Sequence, residues 1–145
     1  MKLSEYFAYS ELTVSETAAR RGIPNKPSPR ELENLKATAL RMDEIRRRLG
    51  KPVLVTSGYR SPEVNAAVGG SRTSAHCRGL AVDFTCPGYG SPLEVARAIA
   101  AMGIEFDQLI HEFGSWVHIG FAEAGHKSRR QLLTIDKKGT RVGLS

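Results

Sequence analysis

Ser74-Ala-His76-Cys-Arg-Gly79-Leu-Ala-Val-Asp83-Phe84 decides how this chain is read, together with a second stretch, Glu112-Phe-Gly-Ser-Trp116-Val-His118-Ile-Gly-Phe121. Leu80 to Phe84 reads as a strand whose alternation puts Ala81 and Asp83 on one face and Val82 and Phe84 on the other. In the second stretch Val117, Ile119 and Phe121 share a face, and Trp116 and His118 take the opposite one. Two neighbouring strands would then each turn one polar residue, Asp83 and His118, out of an apolar sheet and into a cleft. His76 comes near the end of the preceding loop, and Gly79 permits a turn or a close backbone approach there.

Two imidazoles and one carboxylate form a common catalytic zinc set, with a fourth position left for water. Such a zinc lowers the pKa of water to roughly 7, and a nearby carboxylate can take the proton and pass it to a leaving amine. His76, Asp83 and His118 are the candidate ligands. Glu112, at the end of the strand before the His118 hairpin, is the candidate proton carrier. Arg60 can grip a substrate carboxylate through two parallel hydrogen bonds, or stabilise an oxyanion. Ser74 can add a hydrogen bond to substrate. The bland alternatives are a hydrogen-bonded structural Asp83, an Arg60 spent on a salt bridge and a Trp116 buried in the core. A histidine and an aspartate seven residues apart are by themselves a weak motif.

Working outward, Ser4, Ser10 and Ser15 each precede residues that could start a helical turn, and Gly22 stops the Ser15-to-Arg21 segment. Ile23 to Pro29 is a proline-broken loop. Ser28-Pro29-Arg30-Glu31 is a capping box opening a long helix. Its apolar face is Leu32, Leu35, Ala39, Met42, Ile45 and Leu49, and Gly50 ends it. Val53 to Ser57 reads as a short buried strand that delivers Gly58-Tyr59-Arg60. Ser61-Pro62-Glu63 starts a short helix to Val68. A second capping box, Ser91-Pro92-Leu93-Glu94, opens a helix with Val95, Ile99 and Met102 buried and Gly103 at its end. Phe106 to Ile110 is a third strand, and Leu132 to Ile135 an edge strand followed by a turn at Lys138-Gly139. The expected architecture is α+β: a small antiparallel sheet carrying the polar cluster, packed on two main helices, with short N-terminal helices.

The 145 residues suit one domain: an irregular segment over 1–27, a core over 28–121 and a basic segment over 122–145. No apolar run approaches membrane-span length. The N-terminus lacks the apolar core and cleavage site of a signal peptide, so synthesis in the cytoplasm is expected. Two cysteines, Cys77 and Cys86, are too few for a disulfide framework and read as ordinary buried thiols. The net charge of +6 suggests an anionic partner, nucleic acid or a bacterial wall polymer. Arg46 to Arg48 are more simply the solvated last turns of the long helix. Nothing beyond charge supports nucleic acid, since there is no aromatic stacking platform or recognition-helix pattern. His126 reads as surface.

Ser-x-His-x-x-Gly-x-Ala-x-Asp over Ser74 to Asp83, followed by Trp-x-His over Trp116 to His118, resembles the zinc D-alanyl-D-alanine carboxypeptidase family. That family is grouped with lysostaphin-type peptidases and the hedgehog signalling domain. Ser57-Gly-Tyr-Arg60-Ser-Pro62, with Asn65, is similar to the family's substrate-side segment, and the resemblance runs from about Leu12 to Phe121. It implies one Zn2+ on His76, Asp83 and His118, and Arg60 in the substrate-binding position. Relatives place the base three or six residues before the last histidine, where this chain has Ser115 and Glu112, so Glu112 is the match. Some relatives carry His-x-His where this chain has Trp116-x-His118, so the role of that first histidine is either absent here or taken by His111, and Trp116 is expected on the substrate side. The resemblance further implies hydrolysis of peptidoglycan stem peptides, either as a D,D-carboxypeptidase or as an endolysin-like peptidase, and a compact chain with no signal peptide and no wall-binding repeat is then expected to be a monomeric enzyme of phage or prophage type.

Three rivals remain at this level. A non-haem iron oxygenase also uses two histidines and a carboxylate, but wants His-x-Asp within a larger β-barrel. A hedgehog-like module would keep zinc without catalysis. A nucleic-acid binder has only the charge in its favour.

Overall fold

The structure is a computed structural model and describes residues 1–145. Two capping boxes start the two main helices. Ser28 Oγ accepts the Glu31 N–H at 3.2 Å and Glu31 Oε1 accepts the Ser28 N–H at 2.9 Å. Ser91 and Glu94 repeat the arrangement at 3.2 and 3.0 Å. Each box satisfies helix N–H groups that would otherwise lack partners. In chain order the helices are α1 (Tyr9–Thr13), α2 (Glu16–Arg21), α3 (Pro29–Leu49), α4 (Pro62–Ala67) and α5 (Pro92–Ala100), with a 3-10 turn over Ala75–Arg78. The expected cap at Ser10 is displaced: α1 starts after Ala8, whose N–H is taken by the Glu11 carboxylate, and Ser10 lies inside the helix. No helix starts at Ser4, whose hydroxyl instead donates to Asp43. Helix α5 ends before Met102 and Gly103.

Six strands, β1 (Leu54–Ser57), β2 (Ala81–Thr85), β3 (Gln108–Glu112), β4 (Trp116–Gly120), β5 (Gln131–Asp136) and β6 (Gly139–Val142), make one sheet in the order β1-β2-β4-β3-β5-β6. The sheet is mixed rather than wholly antiparallel, because β3 and β5 run parallel. A parallel partner needs a returning connection instead of a hairpin. Here the chain leaves β4, crosses back and is tied down beside the start of β3. Arg129 donates to both Asp107 carboxylate oxygens at 2.9 and 2.7 Å, and the Arg130 N–H donates to the Phe106 carbonyl. Strand β3 begins two residues later than the sequence suggests, leaving Phe106 as a buried anchor ahead of it. Residues 122–145, read as a basic segment with one edge strand, supply two strands, and β6 is the edge.

One face of the sheet is the core. Val82, Phe84, Leu109, Val117 and Ile119 join Leu35, Ala39, Met42 and Ile45 of α3 and Val95 and Ile99 of α5 in one buried cluster. Phe7 and Leu12, from the irregular N-terminal segment, belong to the same cluster. That segment is fastened to α3 by Asp43, whose buried carboxylate accepts from Ser4 Oγ and from the Glu5 and Tyr6 N–H groups at 2.8–3.1 Å.

The opposite face carries the polar residues. Pairing fixes which they are: Asp83 stands opposite His118, His118 opposite Ile110, and Trp116 opposite Glu112. Directly paired residues point the same way, and so do residues two apart on one strand. The 3-10 turn bearing His76 docks on α3 through Gly79. Thr38 Oγ1 donates to the Gly79 carbonyl at 2.7 Å and Asn34 Nδ2 to the Arg78 carbonyl at 3.0 Å. Gly79 has φ +75°, and a Cβ there would stand 2.5 Å from the Glu31 carbonyl oxygen. Only glycine meets both demands without strain. Gly79→Ala is therefore expected to lower the unfolding free energy by about 2–4 kcal/mol, read from urea midpoints. A midpoint equal to that of the parent chain would mean that the turn does not lean on the helix as described.

Candidate metal centre

Three elements bring the site together. The 3-10 turn presents His76, β2 presents Asp83 and β4 presents His118. Ser74 starts the turn by accepting the His76 N–H on its Oγ at 3.2 Å. One nitrogen from each imidazole and one carboxylate oxygen lie within 4.8 Å of one another. His76 Nε2 is 3.2 Å from Asp83 Oδ1, and His118 Nδ1 is 2.8 Å from the same oxygen. The two rings meet edge-on, with centroids 5.1 Å apart at 65°. Two tetrahedral ligands each about 2.1 Å from a zinc stand about 3.4 Å apart, so these spacings are close to those of a metal-bound set.

Tautomers sharpen the point. His76 Nδ1 lies 2.7 Å from the Gly58 carbonyl oxygen, which can only accept, so Nδ1 carries the proton. Burial lowers the His76 pKa below its usual value, against the opposing pull of Asp83, which favours the neutral ring. Its Nε2 lone pair then faces an anionic oxygen. Lone pair and carboxylate repel unless a cation lies between them, and a divalent metal suits the place. A backbone carbonyl orienting a ligand imidazole is also the usual outer support of a zinc histidine. The three donors therefore fit zinc.

Asp83 is nearly buried, and burial pushes its pKa upward. The hydrogen bond from His118, the largest opposing effect, outweighs that and holds the carboxyl well below the usual carboxylate range. Its second oxygen, Oδ2, accepts from Arg60 Nη2 at 3.3 Å. Arg60 also donates from Nε to Ser57 Oγ at 3.1 Å and from Nη1 to Asn65 Oδ1 at 3.4 Å. A bulge at Thr56 sets Ser57 opposite Asp83 and lets the chain turn to place Arg60 there. Asn65 in turn donates to the Ser71 carbonyl at 2.7 Å, linking Arg60 to the loop that leads into Ser74.

Glu112 lies beside the cluster, with Oε1 3.9 Å from His118 Nδ1. Desolvation, followed by the Asp83 charge, raises its pKa above the ordinary glutamate value. Across the hairpin is Trp116, whose ring lies 5.5 Å from that of Phe113 and whose buried Nε1–H has no hydrogen-bond partner. A polar groove of about 380 Å³ opens next to His118 and is lined by Ser74, Ser71, Thr73 and Gln108 among others.

His111 is not in the site. It pairs with Val117, so it faces the core side of the sheet, where Nδ1 lies 3.0 Å from the Ser145 carbonyl. One residue of strand alternation separates it from Glu112, and that suffices to remove it from the substrate side. The thiols of Cys77 and Cys86 are free and lie outside the donor cluster, and His126 is exposed. One support of the centre, the Gly58 carbonyl, carries no side-chain signal at all. Asn65 was marked only through the resemblance of its segment to the family's substrate side.

No curated protein matches the chain. The model of one protein family, described as Peptidase M15, matches residues 5–120. The matched span contains His76, Asp83, Glu112, His118 and Arg60 and ends with β4. Members of that family are zinc enzymes that cleave peptides. With a match over most of its length, the chain belongs to the peptidase M15 family.

Proposed function

We propose that the chain is a zinc-dependent hydrolase of peptide bonds in bacterial peptidoglycan stem peptides. The observation that carries this reading is the convergence of His76 Nε2, Asp83 Oδ1 and His118 Nδ1 with the Glu112 carboxylate alongside. A zinc held by the three donors supplies Lewis acidity, polarising a scissile carbonyl and acidifying water. Glu112 takes the proton of the attacking water and delivers it to the leaving amine as the C–N bond breaks. A carboxyl with a raised pKa suits both halves of that transfer, because it accepts a proton from water more readily than an ordinary carboxylate does and still surrenders it to the more basic leaving amine.

Arg60 has two roles open to it. Three of its N–H groups hold Ser57, Asn65 and Asp83, which fixes the ligand carboxylate from behind. The remaining two are left for substrate oxygens. Ser74 and Trp116 complete the substrate side, one at the groove and one across the hairpin from Glu112. A non-catalytic zinc module would have no need of a desolvated acid beside the donors, so the hedgehog-like alternative is disfavoured. We further read residues 1–145 as one monomeric domain of phage or prophage type that acts on the wall after synthesis in the cytoplasm. The surplus of positive charge supports attraction to an anionic wall.

Digestion of purified peptidoglycan, followed by mass spectrometry of the muropeptides, tests the reading. Chelator-sensitive loss of a terminal D-alanine would mark a D,D-carboxypeptidase, and shortened cross-bridges an endopeptidase. Intact muropeptides under zinc-replete conditions would contradict the proposal. Glu112→Gln is expected to retain zinc and slow turnover by roughly a hundredfold or more; an unchanged rate would give the proton transfer to another group. Arg60→Lys loses the planar fork, and zinc affinity is expected to fall by roughly tenfold or more as Asp83 loosens. Competition with a chromogenic chelator reads this directly, and an unaltered affinity would confine Arg60 to substrate contact.

A further inference from the structure

The geometry points to Arg78 as the anchor for a free carboxylate of the peptide substrate, held in the groove that opens beside His118. The inference rests on the peptidase reading and adds to it the chemical class that the substrate carries on that side of the scissile bond.

The groove has one unspent charge. His118, Ser74, Ser71, Thr73 and Gln108 line it together with Arg78, Asp107 and Arg129. Asp107 and Arg129 neutralise each other through a fork of two hydrogen bonds at 2.9 and 2.7 Å. The Arg78 guanidinium makes no hydrogen bond or ion pair within the chain, although its backbone is fixed, the carbonyl accepting from Asn34 on α3. Arg78 is exposed, and it also borders a second groove of about 370 Å³ with Arg72, Thr73, Ser74 and Cys77. An exposed arginine is ordinarily unremarkable in a basic protein. This one differs in its setting: a fixed backbone two residues after His76, in a cavity shared with a candidate metal ligand, where Asp107 is paired with Arg129 and Glu123, in an adjoining groove, with Arg30 and Asn34.

Arg60 is less suited to the same task, because three of its five N–H groups are occupied and one of them holds Asp83. Arg78 keeps its whole fork for a ligand, and a guanidinium binds a carboxylate through two parallel, charge-assisted hydrogen bonds. The hydroxyls of Ser71, Thr73 and Ser74 and the amide of Gln108 offer neutral contacts to peptide groups along the way. The carboxylate can be a chain terminus or an acidic side chain.

Calorimetric binding to the Glu112→Gln chain, which is expected not to consume its ligand, separates these sources. Four peptides of one sequence are titrated: the parent, its C-terminal amide, its glutamate-to-glutamine analogue, and the form with both changes. The parent is expected to bind about tenfold or more tighter than the doubly amidated form. The single change that reproduces this loss identifies the carboxylate. Adding Arg78→Ala should abolish the preference while leaving the affinity for the doubly amidated peptide and the zinc content unchanged, and Arg78→Lys should restore part of it. A preference that survives Arg78→Ala, an equal loss of affinity for all four peptides, or binding with no preference in the Glu112→Gln chain would each overturn the inference, as would no binding of any peptide. A carboxylate preference without peptide hydrolysis by the unmutated chain would sink the peptidase reading alone. Hydrolysis without the preference would sink the role of Arg78 alone.

Discussion

Two imidazoles, from parts of the chain more than forty residues apart, converge on a single oxygen of Asp83. A buried carboxylate costs several kcal/mol unless its charge is matched. Here the matching is divided. Oδ2 is served by Arg60, while Oδ1 faces His118 and His76. His76 is unable to donate to it as a neutral ring, since its one N–H is committed to the Gly58 carbonyl. The pair makes sense as a cation cradle and poor sense as a hydrogen-bond network. The same geometry holds Glu112 largely out of water beside a second negative group, a combination that raises its pKa and costs stability.

The apolar side of the same strands holds this arrangement in place. Val82 and Phe84 flank Asp83 in sequence, and Val117 and Ile119 flank His118; all four are completely buried against α3 and α5. Each such side chain contributes roughly 1.5–3 kcal/mol on burial, enough to offset the cost of presenting polar groups on the other face. Slipping either strand by one residue would exchange the two sets, so the core dictates the register of the site. His76 lacks that support, being on no strand. It is placed instead by the Gly79 contact with α3, the Ser74 cap and the Gly58 carbonyl, whose own glycine packs against the backbone of Leu12. The N-terminal segment thereby bears on the candidate metal centre although it supplies none of its donors.

Much of this was legible in the amino-acid sequence wherever a periodicity or a cap marked it. Ser28-to-Glu31 and Ser91-to-Glu94 located α3 and α5, and alternation separated Asp83 and His118 from their apolar neighbours. The family resemblance then matched the Peptidase M15 assignment. The returning connection to β5 was not legible, because what secures it is a pairing between Asp107 and Arg129 that local pattern does not express. The start of α1, capped at Ala8 two residues before Ser10, was similarly obscured, because there the Glu11 carboxylate accepts the Ala8 N–H and no serine is needed at the cap. His111 was misplaced for a different reason. The family's His-x-His pattern left a role that His111 was expected to fill, whereas a strand sends His111 and Glu112 to opposite faces.

The account stands on a metal held by three named atoms. Crystals of the zinc-loaded chain, with anomalous data collected at the zinc edge, test it most directly. One peak is expected within about 2.3 Å of His76 Nε2, an Asp83 carboxylate oxygen and His118 Nδ1, with Glu112 beside it and unbound. A zinc peak ligated by other residues, or no peak among those three side chains, would contradict it.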